Sequence, residues 1–261
     1  MECDLHSHAR RSEVCVSHFV LSRAGIVSAI LLLSGLNQAP AQESYYLLMF
    51  GSQQTPPDPN HAHSFATFVR VCHNGPTPGT PVIEAHTISW LPANLRIRVC
   101  ALLPEPGHNF ELHRTLQFVL GDCQRVSMWG PYKIDAELYC RAVKQEQLLL
   151  SGQVRYKAVD TGYPSDRVSN CIHALSSIVE GYRVRVLSPG WGETASFTVL
   201  QRYSPWILDT VCTHDWVASA LGLDQYPIIY RDYENPRSGT FRGLSSRLTG
   251  RDPLPTYGRP R

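Results

Sequence analysis

The sequence predicts an α+β fold in which an antiparallel sheet packs against a cysteine-bearing helix, and three observations carry that expectation. Strand-like segments fill the first part of the chain, two of them can pair as a hairpin, and capped helical patterns dominate from Asp135 onward. The 261 residues suffice for one sizeable domain, and 43% hydrophobic content supplies a core.

The elements follow in order. "YYLLMF" (45–50) reads as a buried strand, and "GSQQTPPDPNHA" as a loop, because its prolines oppose regular pairing. "HSFATFVRVC" (63–72) alternates, with Phe65, Thr67, Val69 and Val71 on one face, and reads as a strand. "NGPTPGTP" (74–81) is a turn-rich connection to a second strand, "VIEAHTISWL" (82–91), and the pair can form a long-looped hairpin. "LRIRVC" is a shorter strand candidate, and "PEPGHNF" breaks the pattern. "ELHRTLQFVLG" reads as a helix ended by Gly121, and "RVSMWGPYKI" as extended. A helix follows from Asp135, its N-cap, to Ser151, with Gly152 after the last turn. "VRYKAVD" (154–160) reads as extended and "TGYPSD" as a loop. A helix begins near Asn170 and runs through Ile178, and further helices fit 193–203 and 214–221 before "YPIIYRDY".

Both ends differ from the body. Arg10, Arg11 and Arg23 precede the apolar run "AGIVSAILLLSGL", and Ala39-Pro40-Ala41 follows. This order fits a secretory signal over residues 1–41 cleaved after Ala41, the run being shorter than the roughly 20 residues that span a bilayer. The protein is therefore expected to be exported, to the periplasm, cell envelope or medium. From residue 236 the Pro, Gly, Ser and Arg content predicts a disordered tail, which leaves 42–235 as the folded domain. The tail carries Arg237, Arg242, Arg247, Arg251, Arg259 and Arg261 against Asp252 alone, so it holds the positive balance and can touch an anionic envelope surface. A net charge of +2 is too small for a dedicated nucleic-acid binder. In an oxidising compartment some of the six cysteines after residue 41 should pair, and Cys72 with Cys100 is the expected bridge, since both end neighbouring candidate strands.

"SNCIHAL" (169–175) places Cys171 where a helix starts. Ser169 or Asn170 can cap that helix, which seats Cys171 in its first turn. There the unsatisfied N–H groups and the helix dipole favour a thiolate, and an imidazole nearby favours it further. A histidine from a neighbouring strand and a third group to orient it complete a thiol-hydrolase constellation. His63 is the candidate base, and His86 on the second strand the candidate third member. Asn170 and Tyr156 are candidates for contacting substrate, and the backbone N–H of Cys171 for stabilising an oxyanion. His173, two residues on, points away from Cys171 and reads as structural. An acyl-enzyme at Cys171 needs no cofactor and no metal.

From Trp129 to Leu175 the order of features resembles the circularly permuted branch of the NlpC-type papain-like fold, which includes the lecithin:retinol acyltransferase relatives. The carrying residues are Asn170, Cys171 and His173 in "NCIHAL", preceded by "YCRAV" and "VRYKAVD", with His63 opening an upstream strand. Ile172 stands where the family usually has an acidic residue, and Ala174-Leu175 lack the aromatic that commonly follows. The resemblance implies a cysteine-dependent hydrolase or acyltransferase acting on an amide, peptide or ester. Cell-wall peptides and lipids are both substrates within its range. Two other readings stand beside it: a non-catalytic envelope protein on the same scaffold, and a metal-binding protein. The second rests on the His61-x-His63 pair with His73, His86, His108 and His113 in the same region.

Overall fold

The structure is a computed structural model that describes residues 43–73, 81–179, 184, 191–211 and 213–242. The expected signal segment lies outside these residues, as does the 74–80 connection. Contacts set Glu43–Arg261 apart as one compact unit, and within it the chain is α+β.

Its main sheet has six strands. β1 (Glu43–Gln53) and β2 (Ala62–Cys72) form its centre with β6 (Arg125–Ile134), and β3 (Val82–Ile88) lies at one edge. β9 (Ile228–Arg231) and β10 (Gly239–Arg242) complete the order β10-β9-β6-β1-β2-β3. The expected hairpin is present, with Thr67 opposite Thr87 and their hydroxyls 2.9 Å apart. The sheet is mixed, however, because β9 runs parallel to β6. The expected disordered tail starts too early as well: residues 239–242 pair in register with β9, which supplies partners for their backbone groups.

The central strands are buried on both faces, which is why "YYLLMF" lacks alternation. Leu47, Met49, Ala66 and Phe68 face one core, closed by α2 (Ala136–Leu150), α3 (Cys171–Ser176) and α4 (Glu193–Arg202). Tyr46, Leu48, Phe50, Phe65 and Val69 face the other, closed by α1 (Leu112–Gly121) and α5 (Asp215–Ala220). Asp135 caps α2 by accepting from the Glu137 N–H at 2.7 Å, as its position before the periodic run predicts. Asp135→Ala should cost about 1 kcal/mol in urea unfolding. An unchanged midpoint would mean that packing alone fixes the start of α2.

A second, four-stranded sheet stands beside the first. It comprises β4 (Trp90–Pro92), β5 (Glu105–Asn109), β7 (Arg155–Tyr156) and β8 (Val168–Ser169). "VIEAHTISWL" is thus two strands, since the chain leaves the main sheet at Ser89 and enters the second at Trp90. "PEPGHNF" is no break but β5, and Gly107 is needed there because a Cβ would lie 2.1 Å from the buried Trp90 ring. "LRIRVC" is not a strand; Leu95, with φ of 60°, turns it into a loop. The small sheet matters to the site because β8 runs straight into Asn170 and Cys171. Its end is held by Trp90 Nε1–H donating to the Ser169 carbonyl at 3.1 Å.

Candidate active site

Pairing of β2 with β3 ends at Ala66 and Ile88, so the first residues of β2 have β1 on one side only. α3 fills the space beyond. Asn170 is its cap, accepting from the His173 N–H at 2.8 Å, and Cys171 is the first helical residue. The backbone N–H groups of Ser64, Ile172 and Cys171 interact with the thiol. Cys171 and His63 both line one cavity of 280 Å³, with Ser64, Tyr156, Trp191 and Gly192 among the other walls. The two residues that the sequence singles out for chemistry therefore border the same cavity.

Their electrostatics differ from expectation. Cys171 is buried, and burial pushes its thiol up to about 11, against the pull of the three N–H groups. His63 has no exposed surface, and burial lowers it to about 3. Burial thus favours the neutral form of both groups, a thiol where a thiolate was expected. No hydrogen bond joins them: His63 Nδ1 is buried without a partner.

The third member is not His86. That side chain sits on the edge strand β3, with Nδ1 2.5 Å from Glu146 of α2 and Nε2 3.1 Å from Glu84. The hydrogen bond to Glu146, then that to Glu84, raises its pKa, and the residue fastens β3 to α2 away from the cavity. Ser89 takes the place assigned to it. Its Oγ is 2.9 Å from His63 Nε2 and 2.7 Å from Thr115 Oγ1 of α1, which also reaches the Glu111 carbonyl at 2.9 Å. The imidazole also stacks on Phe65. Thr115 has one hydroxyl proton and two acceptors. When it goes to Ser89, the Ser89 hydroxyl donates to Nε2 and the ring proton sits on Nδ1; when it goes to Glu111, Ser89 accepts from Nε2–H and Nδ1 is a bare acceptor.

Asn170 lines the cavity, yet its side chain is committed to the fold: beyond capping α3, its Nδ2 donates to the Ala158 carbonyl and to Asp160. These bonds fix the start of α3 and with it Cys171. Tyr156 is fully buried in the cavity wall, and burial, then the neighbouring Cys171, raises its phenol well above the ordinary range. His173 is structural, with Nδ1 2.6 Å from Asp160 and Nε2 3.1 Å from the Val184 carbonyl.

The histidine pair diverges. His61 belongs to a short 3-10 turn and meets Asp122 at 2.7 Å, while His63 turns inward to Ser89. Among the described residues no group of three His, Cys, Asp or Glu side chains could hold a metal ion. The expected bridge is absent too, since Cys72 and Cys100 are both free. Cys72 ends β2, whereas the loop of Cys100 is tied to the opposite end by the Val99 N–H donating to Asn60 Oδ1 at 3.2 Å. A strand of this length puts them roughly 30 Å apart, against the ~7 Å that a disulfide spans.

Sequence reasoning missed Ser89 and Thr115. The one available signal was a hydroxyl inside the otherwise apolar "ISWL". It also passed over Trp191 and Gly192, which form a cavity wall where α4 begins. Gly192 has φ of +60°, and a Cβ there would lie 2.4 Å from the Ser52 carbonyl oxygen. Glu193, the next residue, sits between two cations, 3.0 Å from Arg125 and 3.2 Å from Arg231, and accepts from Ser127 at 2.7 Å. Burial pushes its carboxyl up, but these donors and charges outweigh burial and hold it below the ordinary value. The chain matches no family model, no curated protein and no solved structure.

Proposed function

We propose that the protein is a thiol-dependent acyl-transfer enzyme, a hydrolase or acyltransferase of an amide, peptide or ester, on a permuted papain-like fold. One observation carries the reading: Cys171 and His63 line a single cavity, and the imidazole keeps Nδ1 free of any hydrogen-bond partner while the Ser89 hydroxyl holds its Nε2. Sγ of Cys171 attacks the substrate carbonyl carbon as its proton passes to His63 Nδ1. The carbonyl π electrons move to oxygen, and the N–H groups that contact the thiol are placed to receive that charge. Collapse expels the amine or alkoxide, which takes the proton from Nδ1, and leaves a thioester on Cys171. Water or another acceptor attacks the thioester, with His63 as base again. Because the resting pair is neutral, proton transfer accompanies attack and does not precede it. Export, and contact with an envelope surface through the basic tail, complete the proposal.

A second reading has its own support. The raised Cys171 and the missing thiol–imidazole hydrogen bond fit a non-catalytic scaffold protein. An activated acyl ester, followed by intact-mass and peptide mass spectrometry, separates the two. The enzyme should form a thioester at Cys171 in preference to the exposed Cys100 and Cys123. His63→Ala should slow acylation about a hundredfold. With iodoacetamide, which offers no carbonyl, Cys171 should lag behind the exposed thiols at pH 8, since a raised pKa leaves less thiolate. Acylation of Cys100 and Cys123 alone would overturn the enzyme and leave the scaffold protein.

A further inference from the structure

Two of the three most exposed large apolar side chains among the described residues are neighbours, Leu102 at 88% and Leu103 at 76%, and neighbouring exposure of this kind asks for a partner. They stand on the loop between β4 and β5, and the loop is braced. Lys157 Nζ donates to the Ala101 carbonyl at 2.7 Å, and the Arg155 guanidinium to the Pro104 carbonyl at 2.9 Å. Val99 is tied to Asn60 and Arg98 to Glu105. The leucines are thus held out into solvent by donors on both sides, and no ordering cost is left to meet on binding.

The charge around them is positive on balance. Arg96, Arg98 and Arg155 are exposed and Lys157 is half-buried, while Glu105 is neutralised by Arg98 at 2.6 Å with little of its side chain in water. Asp58 of the neighbouring turn is engaged by Asn60, and exposed Asp166 is offset by exposed Arg167 beside it. A pair of leucines is far short of the roughly 800 Å² that each side of a stable protein–protein interface buries. Exposed leucines on a loop that also carries Arg96 and Arg98, and to which Arg155 and Lys157 are bonded, match the anionic headgroup layer of a bilayer: the leucines enter the acyl boundary while the arginines stay among phosphates. We infer that the β4–β5 loop docks the protein on an anionic lipid surface. Ile97 and Val99 on the inner side of this loop line the Cys171 cavity, so docking brings that wall to the lipid. The inference does not depend on Cys171 being a nucleophile.

The test places a reporter in the loop of the full chain. Leu103→Trp is mixed with vesicles of phosphatidylcholine and phosphatidylglycerol carrying brominated acyl chains, and its fluorescence is compared with that of the unsubstituted chain. Quenching beyond the unsubstituted chain is expected. Leu102→Ser added to that variant should weaken it about tenfold, and Arg96→Glu roughly fivefold or more. The apolar run 24–36 can hold the chain on a vesicle by itself, but bromine reaches position 103 only if the loop inserts. Sedimentation with vesicles without extra quenching at 103 overturns the proposal, and so does equal quenching by pure phosphatidylcholine. Neither result bears on acylation of Cys171, so the two readings fail separately.

Discussion

Between pH 6.5 and 4.5 the protein should lose about 1.4 kcal/mol of stability per pH unit, and His63 is the reason. Burial lowers its imidazole to about 3 from an ordinary 6.5. In that window the unfolded chain takes up a proton that the folded chain refuses, so stability rises with pH and falls on acidification. Each unit of the difference is worth about 1.4 kcal/mol, and a total of roughly 5 kcal/mol is comparable to the whole stability of a small domain. The other described groups act outside the window or against it. Glu43, Glu84, Glu137 and Glu193 are all held below the ordinary 4.5, so their own losses come at lower pH. His86 is raised above 6.5, so its contribution has the opposite sign and is confined to the top of the window and above. The measurement is urea unfolding at half-unit pH steps, with His63→Gln as the comparison. The variant keeps a donor for Ser89 but cannot titrate, and its profile should be flat where the parent slopes. A parent profile already flat would mean that His63 finds water or a charge partner when protonated.

Gly192→Ala should be strongly destabilising, by about 3 kcal/mol or more. Two costs add there. The positive φ is strained for any side chain, and the new methyl carbon would stand 2.4 Å from the Ser52 carbonyl oxygen, a backbone atom fixed in β1. Either α4 or the strand must move, and Gly192 itself lines the cavity. Gly152 separates the two costs: it has φ of +75° after α2 and open space around it. Gly152→Ala should therefore show only the conformational cost of about 1–2 kcal/mol. Thermal unfolding of both variants, with acylation rates at Cys171, gives the comparison. Equal losses would show that the β1–α4 contact yields easily.

Local sequence rules read some of this molecule well. The N-caps at Asp135 and Asn170 and the hairpin of β2 and β3 follow from residue types within a few positions. They also place Cys171 at the start of its helix. What they could not read is set by partners distant in sequence. Ser89 orients His63 only because the chain changes sheets there, and Thr115 joins it from α1. His86 seemed the better candidate because it is a histidine, yet Glu146 of a separate helix claims it. The ionisation of Cys171 is the clearest case. A helix start predicts a low pKa, but the depth at which the two sheets enclose it reverses the sign, and depth is a property of the assembled fold.

That depth has a redox consequence. Oxidation by peroxide and exchange with disulfides both begin with thiolate attack and need access to the sulfur. A cysteine that is 8% exposed and ionises near 11 offers neither. Cys171 can therefore stay reduced among oxidants that would consume the exposed Cys100 or Cys123.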